Sequence, residues 1–135
     1  MSEENVYNQL VVRKEELENE QKKQLVRVVL PFAVIDPESR RVHMKSLYDD
    51  LNTKHKVLVY LLARLALSDL SNSTVSSAVS PKEIEKETGL PGGTVRPKLT
   101  QLVTERLITK DGDQYLVTSL TVVKACKDME SSLPD

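Results

Sequence analysis

Cysteine is almost missing from this chain. Cys126 is single among 135 residues, so no internal disulfide can form and no zinc-type cysteine spacing exists. An excess of charge is missing too: 19 Lys and Arg face 20 Asp and Glu, a formal net charge of -1. That excludes a strongly basic, histone-like protein, and any contact with nucleic acid has to come from a local patch. Long apolar runs are absent. The longest, Val57 to Leu67, is interrupted by Arg64 and is too short to cross a bilayer. Met1-Ser2-Glu3-Glu4-Asn5 is acidic and no apolar core follows it, so no signal peptide is expected; the chain reads as cytoplasmic, with no membrane association.

The residues of common chemistries are also scarce. His43 and His55 are the only histidines and no ligand cluster stands beside either, so no metal site and no cofactor are expected. Gly92-Gly93 has neither the Walker spacing nor the dinucleotide fingerprint. Asp49-Asp50 and the Glu pairs are adjacent surface acids without a nearby nucleophile, so no enzyme is expected. Cys126 sits among apolar neighbours at helical spacing and reads as a buried, inert thiol. What is left is 39% apolar and 29% charged residues, an ordinary globular balance for one domain or one small domain with an extension.

Residues 3–23 are rich in Glu, Gln, Lys and Leu without Gly or Pro, and predict a helix with a thin apolar stripe at Val6, Leu10, Leu17 and then Leu25. Six acids against four bases make it a poor surface for DNA; it is either solvated on most of its surface or lies against a second subunit. After Pro31, the runs Phe32-Ala33-Val34-Ile35 and Arg41-Val42-His43-Met44 flank Asp36-Pro37, which suits a turn and predicts a small hairpin. Asn52 or Thr53 can cap a helix from about Lys54 to Ser68. That helix is apolar nearly all round and must be buried nearly all round. Its cover comes either from a second subunit, making the protein a homodimer, or from the chain's own first 50 residues.

The stretch from 80 to 118 is the most informative. Ser80-Pro81-Lys82-Glu83 is a capping box with proline at the first helical position, Ile84 points inward and Gly89 is a left-handed C-terminal cap. Leu90-Pro91-Gly92-Gly93 predicts a tight bend, and a second helix is expected from near Thr94 to near Arg106, buried through Val95, Leu99, Leu102 and Val103. On that reading Pro97 falls in the first turn, where a missing amide hydrogen costs nothing. Asp111-Gly112 between two apolar runs predicts a hairpin over about 107–118, and Ala78-Val79 can add a short strand. A last helix is expected from Ser119 to about Ser131 with Leu120, Val123, Ala125, Cys126 and Met129 apolar, packed on its own first helix or on a partner, and 131–135 should fray.

Helix, bend, helix and hairpin in this order resemble the winged helix-turn-helix of MarR-like and ArsR-like bacterial and archaeal transcription regulators. The resemblance covers about Leu51 to Thr118. The fold class expected is therefore mainly α with small β hairpins, an N-terminal helix and hairpin extension over 1–50 preceding a winged helix-turn-helix over 51–133. The resemblance implies a regulator that binds double-stranded DNA, its second helix entering the major groove, and a dimer on a palindromic site. Gln101 would then meet an adenine edge and Arg96 a guanine edge or a phosphate, while Thr94, Lys98 and Thr100 suit phosphate oxygens; Thr104 also faces outward, and Lys110 and Gln114 are what the wing has to offer. Between Thr94 and Thr104 there are two cations and no acids. Against this, six bases and six acids cancel over 80–118, Asp111 and Asp113 sit at the wing tip, and Pro97 offers no polar atom to a base. The alternative is a winged helix that docks another protein, through the N-terminal helix or the threonine face, without binding DNA.

Overall fold

A computed structural model describes residues 6, 7, 10, 17–72 and 74–134. Most of the helix expected over 3–23 therefore lies outside the described residues. The helix that is seen, α1, covers Asn19–Val29 and extends past Lys23 to the residues before Pro31. Gln21 closes its first turn, accepting a 3.0 Å hydrogen bond from the Glu18 amide. Strands β1 (Ala33–Asp36) and β2 (Arg41–Met44) form the expected antiparallel hairpin, with Val34 opposite His43 and Ile35 opposite Val42. In its turn Asp36 accepts from the Glu38 amide and the Ser39 hydroxyl, and Arg40 takes a left-handed φ of 58°.

A 3-10 turn, Ser46–Asp50, leads into α2, Thr53–Leu70. Asn52 caps it, its side-chain oxygen accepting from the His55 amide at 2.8 Å. The seven consecutive residues Val57 to Ala63 are each no more than 1% exposed, so no face of the helix reaches water there. The cover is the chain's own: α1, the β1–β2 hairpin and the downstream elements all pack against it. The burial of α2 thus gives no argument for a second subunit. At its end Ser71 caps the helix and Asn72 turns it with φ 55°.

Helices α3 (Pro81–Thr88) and α4 (Gly92–Thr104) pack on each other and on α2. Strands β3 (Thr109–Asp111) and β4 (Gln114–Leu116) follow as a second antiparallel hairpin. Its loop is Gly112-Asp113, one residue later than the expected Asp111-Gly112, because Asp111 pairs with Gln114 in the ladder. Gly112, with φ 63°, is the first loop residue, the position where a type II′ hairpin requires glycine. Val79 adds a third strand position: its N–H and C=O exchange hydrogen bonds with Tyr115 at 3.0 and 2.9 Å. The protein is mainly helical with two small antiparallel hairpins.

The last helix, α5, is Val122–Met129, shorter than expected, and a 3-10 turn Glu130–Ser132 follows it. Thr118 and Ser119 take no part in it: the Thr118 amide bonds the Thr121 hydroxyl, holding an irregular turn. Val122, not Val123, faces inward with Ala125, Cys126 and Met129, whereas Leu120 and Val123 are exposed. The helix packs on both α1 and α2, so one cluster of buried residues runs from Leu25 to Met129. Among the described residues no helix is long and apolar enough to cross a membrane.

Candidate nucleic-acid interface

The helix pair begins as its sequence dictates. Ser80 accepts from the Glu83 amide, Pro81 occupies the first helical position, and Gly89 ends α3 with φ 74°. The Glu83 carboxylate does not stay local: it lies 3.6 Å from Arg64 of α2. The bend is tighter than expected, because α4 starts at Gly92 rather than near Thr94. Pro97 is consequently inside the helix instead of in its first turn. Its ring removes the hydrogen bond that Gly93 oxygen would otherwise accept. The Glu85 carboxylate of α3 lies over Gly92, at the positive end of α4, where a Cβ would come within 2.5 Å of one of its oxygens and displace it.

Helix α4 ends at Thr104, two residues before the expected Arg106, in a Schellman motif. The Leu107 amide bonds Leu102 oxygen at 2.9 Å and the Arg106 amide bonds Val103 oxygen at 3.0 Å, with Arg106 itself left-handed at φ 61°. Val95, Leu99 and Leu102 are buried, which turns the opposite side of the helix to solvent. Arg96, Pro97, Thr100, Gln101 and Thr104 are exposed, and Thr94 and Lys98 are half-buried at the margins. The Thr100 hydroxyl bonds back to Arg96 oxygen, and the Lys98 ammonium is 3.5 Å from the Gln101 amide oxygen. Six of the eight residues singled out from the sequence thus share one helix. The other two, Lys110 and Gln114, are exposed on β3 and β4, where the Lys110 ammonium lies 5.9 Å from the Tyr115 ring centre.

The charges sort in a way that counting residues cannot show. Of the six acids between 80 and 118, three are paired with cations from outside that stretch: Glu83 with Arg64, Glu87 with Arg41 at 3.2 Å, and Glu105 with Lys54 at 2.7 Å. Of the six bases, Lys82, Lys86, Arg96, Lys98, Arg106 and Lys110, none has an acidic partner among the described residues. Among the described residues the acids of this stretch without cation partners are Glu85 and, at the β3–β4 loop, Asp111 and Asp113. Lys82, Lys86 and Arg106 were no part of the expected contact set; Arg106 emerges only because the helix stops early and leaves it projecting at the end of α4.

The end of α4 is fixed by a half-buried polar network that sequence reading missed. Lys54 lies 2.7 Å from Glu105 and 3.2 Å from Asp128, and Lys124 donates to Glu105 oxygen at 2.8 Å. The hydrogen bond from Lys54 holds Glu105 below the usual carboxylate range. Burial pushes Asp128 up, but bonds from His55 and Lys54 outweigh it and leave the group lowered. His55 is 4% exposed; Asp128 stands 3.0 Å from its Nε2 and the Ser132 hydroxyl meets its Nδ1. The ring therefore ties the start of α2 to α5 and the turn after it. His43, in contrast, is exposed on β2.

Comparison of the chain with protein-family models, with curated proteins and with solved structures finds no match in any of the three.

Proposed function

We propose that the chain is a winged helix-turn-helix protein that binds double-stranded DNA as a transcription regulator, reading the major groove with α4. The observation that carries this is the segregation of charge. Three acids of the region are neutralised from behind, by Arg41, Lys54 and Arg64, while Arg96 and Lys98 on α4 and Arg106 at its end have no acidic partner among the described residues. A neutral chain needs such a local surplus to attract a phosphate backbone. Gln101 and Arg96 supply the bidentate donors and acceptors that distinguish bases, and Thr94, Lys98, Thr100 and Thr104 the shorter polar contacts to sugar and phosphate. Lys110 and Gln114 support the wing, with Asp111 and Asp113 limiting how closely its tip approaches phosphate.

The test is binding to random-sequence duplex measured across salt concentration. Affinity should fall steeply with salt, because each neutralised phosphate releases counterions. The double substitution Arg96→Ala, Lys98→Ala should weaken binding at least tenfold at low salt and flatten the salt slope by up to about 2. Affinity unchanged by that pair, or no duplex binding at low salt, removes α4 as a reading helix.

A further inference from the structure

A trough of about 260 Å³ runs between the end of α1, strand β1 and α2, floored by Leu25 and Ala33 and walled by Val26, Leu30 and Val34. Every residue lining it is aliphatic. Three of them are well exposed: Val26 at 57%, Leu30 at 51% and Val34 at 40%. Single exposed apolar side chains are ordinary, but a contiguous set around a concavity marks a place where something docks. The same chain carries a second apolar set with nothing over it. Val6, Tyr7 and Leu10 are 58%, 65% and 80% exposed. Their i, i+1, i+4 spacing puts all three on one face of a helical turn. Trough and stripe are thus both uncovered on the same molecule, so neither is used up by the other within one copy.

We propose that Val6, Tyr7 and Leu10 of a second copy of this chain fill the trough, and that two copies exchange these segments reciprocally about a two-fold axis. Reciprocity covers both surfaces on both copies and leaves no unpaired end, the closed arrangement that a two-fold interface requires. Charge agrees with the assignment. Residues 1–16 carry Glu3, Glu4, Glu15 and Glu16 against Arg13 and Lys14. At the rim of the trough the Lys45 ammonium is held 2.7 Å from Leu30 oxygen, without an acidic partner among the described residues, while Arg27, exposed beside Val26, is paired with Glu130 at 3.2 Å.

The experiment measures the mass of the full chain in solution by sedimentation equilibrium over micromolar concentrations. It does not involve DNA, so its outcome is separate from that of the duplex-binding test. The native chain is expected at twice 15.2 kDa. Leu30→Lys in the trough and Leu10→Glu in the stripe change exposed positions, so both variants should keep the native circular dichroism and each should fall to the single-chain mass. The decisive arm mixes the two variants. In an exchanged pair the intact stripe of one still enters the intact trough of the other, so a heterodimer should form where neither variant self-associates. A single-chain mass for the native protein overturns the proposal, as does a dimer that either substitution leaves intact. A mixture that stays monomeric also overturns it, because the intact stripe of one variant and the intact trough of the other would then have been free to pair and would not have done so.

Discussion

Two residues show how local conformation and burial set behaviour one side chain at a time. Arg106 takes the left-handed position of a Schellman motif, which glycine fills without strain and a residue with a Cβ fills at a cost of about 1 kcal/mol. Arg106→Gly should therefore stabilise the fold by roughly 0.5–1 kcal/mol, read as a higher urea midpoint at unchanged slope. The same substitution removes an unpaired cation at the end of α4, so duplex affinity should drop while stability rises. Opposite signs of the two effects would separate a binding role for this residue from a structural one. Cys126 has the reverse character. It is 3% exposed, and burial pushes its thiol up to about 11. The thiolate is the reactive species, so native protein at pH 8 should resist alkylation by iodoacetamide and react once unfolded in urea. Rapid modification of the folded chain would mean that α5 opens away from α1.

At the scale of elements, α4 is the one whose sequence works against its own structure. Gly92 and Gly93 form its first turn, and Pro97 interrupts its hydrogen-bond ladder. A Cβ at Gly93 meets nothing within 4 Å. Gly93→Ala should thus stabilise by roughly 0.5–1 kcal/mol. Pro97→Ala, which restores the missing donor, should add about 1–3 kcal/mol, both read by urea unfolding. These same residues explain why the start of α4 could not be read in advance: two glycines before a threonine look like a bend followed by a cap, and tertiary packing of Val95 against the core overrides that preference. Elements whose local chemistry agrees with the fold were legible, among them α3 between Ser80 and Gly89, α2 behind Asn52, and both hairpins. The exposed face of α4 was legible as well, because turning Val95 and Leu99 inward fixes where Arg96, Thr100 and Gln101 point. The ion pairs were not. Lys54 with Glu105 and Arg41 with Glu87 join residues 51 and 46 positions apart, and no spacing rule reaches that far. The sequence count of zero net charge over 80–118 therefore missed which charges are left facing water.

For the molecule as a whole, the network around Lys54 and Asp128 links the start of α2, the end of α4 and the turn after α5. It should govern acid stability. Asp128 and Glu105 are both lowered from ordinary values of 3.8 and 4.5. A lowered carboxylate adds stability that is complete above its unfolded value and disappears as pH falls through its folded one. Lys54 is partly desolvated, which lowers it, yet its bonds to Glu105 and Asp128 outweigh that and raise it above 10.5. Its contribution is complete below that value and goes as pH rises through the higher one. The network is therefore at full strength from about pH 5 to pH 10 and weakens first on the acid side. Asp128→Ala should cost about 1 kcal/mol at pH 7, since it leaves the buried His55 ring without its acceptor and removes one bond of the partly solvated Lys54, which keeps Glu105. Urea midpoints of native and variant proteins should then converge as pH drops below 4, because the native carboxylate is lost there too. Curves that stay parallel down to pH 3 would assign acid unfolding to other carboxylates. Duplex binding gives a second reading of the same change: with Lys54 held by Glu105 alone and no longer by Asp128 as well, the end of α4 loses one of its ties to α5, and affinity should fall although no phosphate contact has been removed.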